Sequence, residues 1–207
     1  MAAVDLRPIP VTRDPGRRLA QLIGGLALYG VSMAMQIRSG LGLNPWDVLH
    51  EGIAVQTPLT FGTITAITGI VVLLLWIPLR QRPGIGTVAN VAVIAVVVDL
   101  ALAAFPAPDA LPARIALLVG GVALNGLATA AYVGARLGPG PRDGLMTGFA
   151  ARTGRSVRLV RTVIEVVVLS TGWLLGGTVG VGTVLYAVAI GPLTQAFLPL
   201  VAVRERS

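Results

Sequence analysis

The chain has 207 residues, of which 55% are hydrophobic and 12% charged, and its mean hydropathy is +0.82. Apolar stretches of this extent exclude an ordinary soluble domain and indicate an integral membrane protein. All 16 basic residues are arginine and the net charge is +7, but they lie between apolar runs without interleaved aromatic residues, so we expect no nucleic-acid partner.

The residue types also exclude several chemistries. The chain has no cysteine, which rules out disulfides, thiolate metal sites and cysteine nucleophiles. It contains no nucleophile elbow, no Walker loop, no dinucleotide fingerprint and no metal-binding histidine pair. We therefore expect neither an enzyme nor a protein with a cofactor or metal. The abundance of Arg, Ala, Gly, Val and Pro is typical of a GC-rich genome and favours a bacterial inner membrane.

Six apolar segments are long enough to cross about 30 Å of hydrocarbon. The first follows an arginine-rich start and is longer than the apolar part of a usual signal peptide, so we interpret it as an uncleaved span. The segments are residues 19–38, 62–79, 85–105, 114–135, 157–175 and 181–203.

The chain is an internal duplication with an offset of 96 residues. Residues 18–105 aligned without gaps on residues 114–201 give 27 identities in 88 positions, where roughly 9 are expected by chance. The predicted organisation is a cytoplasmic tail (1–17), a three-span repeat (18–105), an outer linker (106–113), a second three-span repeat (114–203) and a cytoplasmic tail (204–207).

Arginine placement predicts the orientation, because cytoplasmic flanks are enriched in positive charge. With both termini inside, 14 arginines lie on the inner side and only Arg38 and Arg114 lie outside. Three spans per copy make the second copy enter the membrane from the opposite face. The sequence thus predicts an all-α protein with six transmembrane helices in two inverted three-helix repeats, each with a short extra helix.

The short extra helices follow a duplicated motif. Asn44-Pro45-Trp46-Asp47 returns as Gly140-Pro141-Arg142-Asp143, with a cap residue, proline at the first helical position and aspartate facing free amides. The segments 44–56 and 140–152 are too short to span. Each fits either an amphipathic helix on the membrane surface or a re-entrant half-helix whose N-terminus faces a central cavity.

If the short helices are re-entrant, their starts approach one another from opposite halves of the bilayer. Asp47 and Asp143 are then candidates for contacting a cation, a proton or a substrate amine, with Pro45, Pro141 and Trp46 beside them. The alternative is that each aspartate only satisfies the amides of its own helix, which is worth about 1 kcal/mol.

A second duplicated motif begins the third span of each copy, as Gly84-Ile85-Gly86-Thr87 and Gly180-Val181-Gly182-Thr183. Glycine at this density permits close backbone approach, and threonine can bond across helices. Helix packing is the favoured interpretation for Thr87 and Thr183. Cavity lining is the alternative, and it extends to Asn90 and Tyr186 one turn further on.

Ionisable residues inside spans are functional candidates, because a charge in lipid is costly. Glu165 has Arg161 four residues before it, so a local ion pair is the simpler explanation. Asp99 has no local basic partner, and its counterpart is Gln195. His50 shares a helical face with Asp47, and a divalent ion could bind there weakly, but a solvated cluster on the outer face is the preferred interpretation.

The duplicated Pro-[Trp/Arg]-Asp motif, Arg18 ahead of the first span and Pro83-Gly84-Ile85-Gly86-Thr87 ahead of the third resemble the YczE/YyaS/YitT group of bacterial membrane proteins, most of all its YczE branch. The resemblance covers residues 17–203. It implies a polytopic protein of the bacterial cytoplasmic membrane. It implies no substrate and assigns no functional residue.

The favoured function is a small secondary transporter or exporter of a small solute, coupled to a proton through Asp47, Asp143 or Asp99. The expected partners are the lipid bilayer, the solute and a second copy of the chain in a homodimer. The alternatives are a scaffold or regulator that does not transport, and a substrate-binding subunit of a transporter with several components.

Overall fold

The computed structural model describes residues 12–203, which form eight α-helices and no β-strand. The predicted all-α class is confirmed. Arg7, Arg204 and Arg206, which contribute to the predicted charge asymmetry, lie outside the described residues. The helices are α1 (Pro15–Ser39), α2 (Pro45–Gln56), α3 (Phe61–Leu79), α4 (Ile85–Ala104), α5 (Leu111–Gly134), α6 (Pro141–Thr153), α7 (Val157–Leu174) and α8 (Val181–Val201).

Five of these helices are long and apolar enough to cross a bilayer, namely α1, α3, α4, α5 and α8. Their ends lie within four residues of the predicted spans. The remaining predicted span is also a helix, the 18-residue α7, but it carries Arg158, Arg161 and Glu165 and is not among the five. The described residues therefore form a multi-pass membrane protein.

The centre of the molecule is an antiparallel pair, α1 and α5. At one end, the Arg18 guanidinium donates to the carbonyls of Ala135 (3.0 Å) and Arg136 (3.1 Å), just beyond the end of α5. At the other end, Arg114 near the start of α5 donates to the carbonyl of Ser39 (2.7 Å), the last residue of α1. Because the start of each helix meets the end of the other, the first helices of the two copies run in opposite directions.

Glycines bring α1 and α5 into backbone contact. A side chain at Gly25 would collide with the backbone of Tyr132, and one at Gly121 would collide with Gln36 and the backbone of α1. Gly121 and Tyr132 lie 96 residues after Gly25 and Gln36, so the same contact is made twice with the two copies exchanged. Small residues at such crossings allow close packing without a hydrophobic driving force.

The short helices pack on the opposite copy. α2 of the first copy lies against α7 of the second, where Gly172 meets the backbone of Leu49. α6 of the second copy lies against α3 of the first, where the Trp76 ring covers Gly144. Both short helices are therefore held between the copies.

The Gly-x-Gly-Thr motifs also join the copies. Gly86 donates its backbone N–H to the Leu137 carbonyl (3.0 Å), and Gly182 donates to the Leu41 carbonyl (2.8 Å). Thr87 donates its hydroxyl to the Pro139 carbonyl (2.8 Å). The motifs thus hold the loops that precede α2 and α6, as the helix-packing interpretation predicts.

The two copies differ in how their last two helices pack. In the first copy, Gly62 and Gly69 of α3 pack against α4, and Asp99 accepts a hydrogen bond from the Gly62 backbone N–H (2.7 Å). In the second copy these two positions are Arg158 and Glu165, and α7 packs on α2 and α6 but hardly at all on α8. Long charged side chains prevent the close approach that glycine permits.

Candidate functional site

A cavity of about 670 Å³ lies between the two copies. It is lined by the starts of α2 and α6 and by side chains from α1, α3, α4, α5, α7 and α8. Volumes of this size are ordinary for sites that bind small molecules. Of the candidates proposed from sequence, the cavity brings together Pro45, Trp46, Asn90, Pro141, Asp143, Glu165 and Tyr186.

The start of α2 has the predicted capping geometry. The Asn44 side-chain oxygen accepts from the Asp47 backbone N–H (3.1 Å), and Pro45 is the first helical residue. The Asn44 amide also donates to one Asp47 carboxylate oxygen (2.5 Å). Asp47 is 1% exposed, so this cap fixes a carboxylate inside the protein, beside the cavity wall.

The prediction of a solvated outer-face cluster around His50 is wrong. His50 is buried, with Nδ1 lying 3.4 Å from the second carboxylate oxygen of Asp47 and 3.3 Å from the Thr65 hydroxyl. Burial lowers the pKa of His50, which favours the neutral ring. Glu51 is half-buried and accepts from the Thr178 backbone N–H (2.5 Å). His50 also lies edge to face with the Phe61 ring, so the packing of α2 on α3 removes His50 from solvent.

The start of α6 holds its aspartate differently. Its cap is Gly140, which has no side chain to bond Asp143. Tyr132 of α5 donates to the Asp143 carboxylate (3.3 Å). The Asp143 side chain is exposed to the cavity. Desolvation by the surrounding protein raises the pKa of its carboxyl group, and the Arg161 charge opposes this in part. The duplicated aspartates therefore lie in different environments, because Asp47 is enclosed beside its cap and Asp143 faces the cavity.

Trp46 and Arg142, which occupy the same place in the two motifs, contact each other. The Arg142 guanidinium carbon lies 4.9 Å from the centre of the indole, a cation–π distance. A guanidinium nitrogen lies 3.7 Å from the Asp47 carboxylate oxygen that faces His50. The starts of α2 and α6 thus meet through the Arg142 guanidinium, which contacts both the Trp46 ring and the Asp47 carboxylate.

Glu165 and Asp99 occupy unlike places. Glu165 accepts from Arg161 (2.9 Å), as the local ion-pair interpretation predicts, and both residues line the cavity. Asp99 instead accepts from Thr60 (2.5 Å) and Gly62 (2.7 Å) at the start of α3, whereas its counterpart Gln195 lines the cavity. Asp99 therefore ties two helices together, away from the two motif aspartates.

All three tyrosines of the chain line the cavity, a feature that the sequence analysis missed for Tyr29 and Tyr132. The rings of Tyr29 and Tyr132 lie edge to face with their centres 6.1 Å apart. The third tyrosine, Tyr186, donates to the Asn125 side-chain oxygen (3.1 Å). The sequence could have indicated these residues, because a tyrosine inside an apolar span needs a polar partner for its hydroxyl group.

Comparison with known proteins agrees with the motif resemblance. A family described as a family of unknown function, DUF6198, matches residues 16–199. The chain is 40% identical over 186 residues to an uncharacterized protein of Haemophilus influenzae, covering 90% of this chain and 85% of that protein.

Two relatives come from Bacillus subtilis. The uncharacterized membrane protein YczE is 34% identical over 172 residues, 83% of this chain and 80% of YczE. The uncharacterized protein YyaS is 25% identical over 181 residues, 86% of this chain and 90% of YyaS. The predicted kinship with YczE and YyaS is confirmed. No solved structure matches the chain.

Proposed function

We propose that this chain, which belongs to the DUF6198 family of unknown function and is a multi-pass membrane protein, is a small secondary transporter or exporter of a small solute. The observation that carries the proposal is the cavity between the copies, which is lined by the starts of both short helices and by three tyrosines. Transporters built from internal repeats bind their solutes at such repeat interfaces.

The transporter has six spans in two inverted repeats. The antiparallel contact of α1 with α5 and the contacts that recur with a 96-residue offset support this arrangement. The 18 residues of α7 measure about 27 Å at 1.5 Å per residue, which nearly crosses the hydrocarbon. Arg158 lies in the first turn of α7 and can reach the headgroups, whereas Arg161 lines the cavity and pairs with Glu165.

The short helices are re-entrant. At 12 and 13 residues, α2 and α6 reach only about 18–20 Å and cannot span. A helix on the membrane surface would expose its polar face, but in α2 the polar residues Asp47 and His50 are as buried as the apolar Val48. Packing between α3 and α7 accounts for burial on both faces.

Transport is coupled to a proton through Asp143. Its carboxyl group is exposed to the cavity, where desolvation by the surrounding protein raises its pKa, so it changes charge at higher pH than an ordinary aspartate. Asp47 and Asp99 are less suited to this role. Asp47 is held by Asn44 and faces Arg142, and Asp99 is engaged at the start of α3.

The test uses full-length protein in proteoliposomes with an internal pH dye and a panel of small cationic, anionic and neutral solutes. We expect at least one solute to drive proton movement, and we expect Asp143→Asn to abolish this movement although the variant still folds and inserts. Asp109→Asn, at an exposed carboxylate outside the cavity, is the matched control.

Two results would favour the alternatives. If no solute of the panel moves while the protein is folded, and Asp47→Asn and Asp143→Asn both fail to fold, the motif helices serve packing and a scaffold is the better interpretation. Reproducible purification with an ATPase, with flux only in its presence, would indicate a substrate-binding subunit.

A further inference from the structure

We propose that Trp46 and Asp47 form a binding site for a small organic cation, and that Arg142 occupies this site in the absence of the solute. The inference rests on the proposed transport function and names the class of its solute. It starts from the contact of Arg142 with the Trp46 ring (4.9 Å) and with the Asp47 carboxylate (3.7 Å).

The site is built from buried groups. Asp47 is 1% exposed and Trp46 is 6% exposed. Among the described residues, the Asp47 oxygen that faces Arg142 has no partner in hydrogen-bond geometry, and its polar neighbours are His50 Nδ1 at 3.4 Å and the Arg142 guanidinium at 3.7 Å. A buried carboxylate oxygen normally has such partners, so this one is available to a ligand that brings its own N–H groups.

Of the three side chains in this contact, Arg142 is the one that an incoming cation can displace. Its side chain is 26% exposed, whereas the carboxylate that it faces is buried and fixed by Asn44. At 3.7 Å its ion pair with Asp47 is longer than a charge-assisted hydrogen bond of about 2.8 Å. A flexible, partly exposed cation on a loose contact can withdraw when a free cation makes a closer one.

The charges around the site select for a cation. When Arg142 withdraws, the carboxylates of Asp47 and Asp143 remain at the two helix starts, while Arg161 is paired with Glu165 at 2.9 Å. Arg136 also lines the cavity, and it donates to the Val203 carbonyl (3.4 Å). An incoming cation takes the place of Arg142 beside the Asp47 carboxylate, whereas an anion meets that carboxylate as a like charge.

The shape of the site suits a guanidinium or ammonium group. The face of an indole is the strongest aromatic partner for a cation, and a planar guanidinium can stack on it while it bonds a carboxylate. Tyr29, Tyr132 and Tyr186 line the same cavity and offer further ring faces to the remainder of the solute.

The experiment measures binding of methylguanidinium to full-length protein in detergent by calorimetry. We expect Arg142→Ala to bind about tenfold more tightly than the unaltered protein, because the internal competitor is gone; tenfold is about 1.4 kcal/mol, within the range of a cation–π contact. Arg152→Ala is the matched control, since Arg152 is an exposed arginine of the same helix outside the cavity.

Asp47→Asn in the Arg142→Ala background should abolish binding, and methyl phosphate should not bind either protein. If Arg142→Ala binds no more tightly than Arg152→Ala, or if methyl phosphate binds in preference, the cation site is refuted. Thermal unfolding is recorded for each variant, and Arg142→Gln replaces Arg142→Ala if the latter does not fold.

Binding and transport can fail separately. If methylguanidinium binds tightly but no flux is measured in proteoliposomes, the cation site is supported and the transport function is refuted. If another solute moves across the membrane but Arg142→Ala does not change the affinity for methylguanidinium, the transport function is supported and the cation site is refuted.

Discussion

Asp99 of α4 accepts a hydrogen bond from the backbone N–H of Gly62 at 2.7 Å, which ties the start of α3 to α4. A side chain at Gly62 would collide with the Asp99 carboxylate and the Ala95 carbonyl. The counterpart of Gly62 is Arg158, and the corresponding helices α7 and α8 are hardly in contact. The glycine at position 62 thus accompanies close packing of α3 on α4, and the arginine at the corresponding position 158 accompanies the near absence of contact between α7 and α8.

The first prediction concerns Asp99 as a structural tie. Asp99→Ala removes the acceptor of the Gly62 and Thr60 hydrogen bonds, so it should lower the free energy of unfolding by about 1–3 kcal/mol. Thermal unfolding in detergent measures this. Solute flux per folded molecule should persist, because Asp99 lies outside the cavity. Asp109→Ala, at an exposed position, should change neither the stability nor the flux. If Asp99→Ala loses flux while its stability is normal, Asp99 belongs to the transport pathway.

The second prediction uses two adjacent glycines of α1. An alanine at Gly25 would press on the Tyr132 backbone, whereas an alanine at Gly24 has no neighbour within 4 Å. Gly25→Ala should therefore destabilise the protein by about 1–3 kcal/mol through overpacking. Gly24→Ala should be neutral or stabilise it by up to about 1 kcal/mol through helix propensity. Equal unfolding midpoints for the two variants would contradict the close α1–α5 contact.

The helices could be predicted from the sequence because their signals are local. The apolar runs and the Pro-x-Asp motifs placed the described helices, and Asn44 and Gly140 were correctly predicted as caps. The site could be predicted only in part. Its two aspartates follow from the duplication, but the contact of Trp46 with Arg142 joins residues 96 positions apart and has no local signature.

The environment of His50 shows where local reasoning fails. The pattern of α2 has an apolar and a polar face, which normally means that the polar face is solvated. Here α7 packs on α2, and Glu51 bonds the backbone of Thr178 at 2.5 Å. His50 itself packs on Phe61 and Thr65 of the next helix, α3. The wrong prediction arose because contacts with other helices, which the pattern of α2 does not contain, decide the burial of this face.

The third prediction is a pH dependence that arises from Asp143. Because desolvation around the cavity raises its pKa, the folded protein holds the proton more tightly than the unfolded chain does. Asp143 therefore contributes stability at low pH that is lost as the pH rises through the raised pKa. Thermal unfolding measured from pH 4 upwards, with buffer ions held constant, should show this loss as a falling midpoint.

Two variants separate Asp143 from the other titrating groups. Asp143→Asn should remove its share of the pH dependence, because an amide does not titrate. Tyr132→Phe should move the loss of stability to higher pH, because the Tyr132 hydroxyl favours the charged carboxylate. If Asp143→Asn retains the full dependence of the unaltered protein, the proton is bound elsewhere.

The fourth prediction tests the proposed topology, and the absence of cysteine from the chain makes labelling clean. Ala107 lies in the α4–α5 connection and Arg155 lies in the α6–α7 connection, and both are exposed. With inverted three-span repeats and cytoplasmic termini, residue 107 lies outside and residue 155 inside. A maleimide that cannot cross membranes should therefore label Ala107→Cys but not Arg155→Cys in intact cells. Permeabilised cells should label both, which controls for access. Labelling of both variants in intact cells would contradict this topology and would mean that the chain inserts in two orientations.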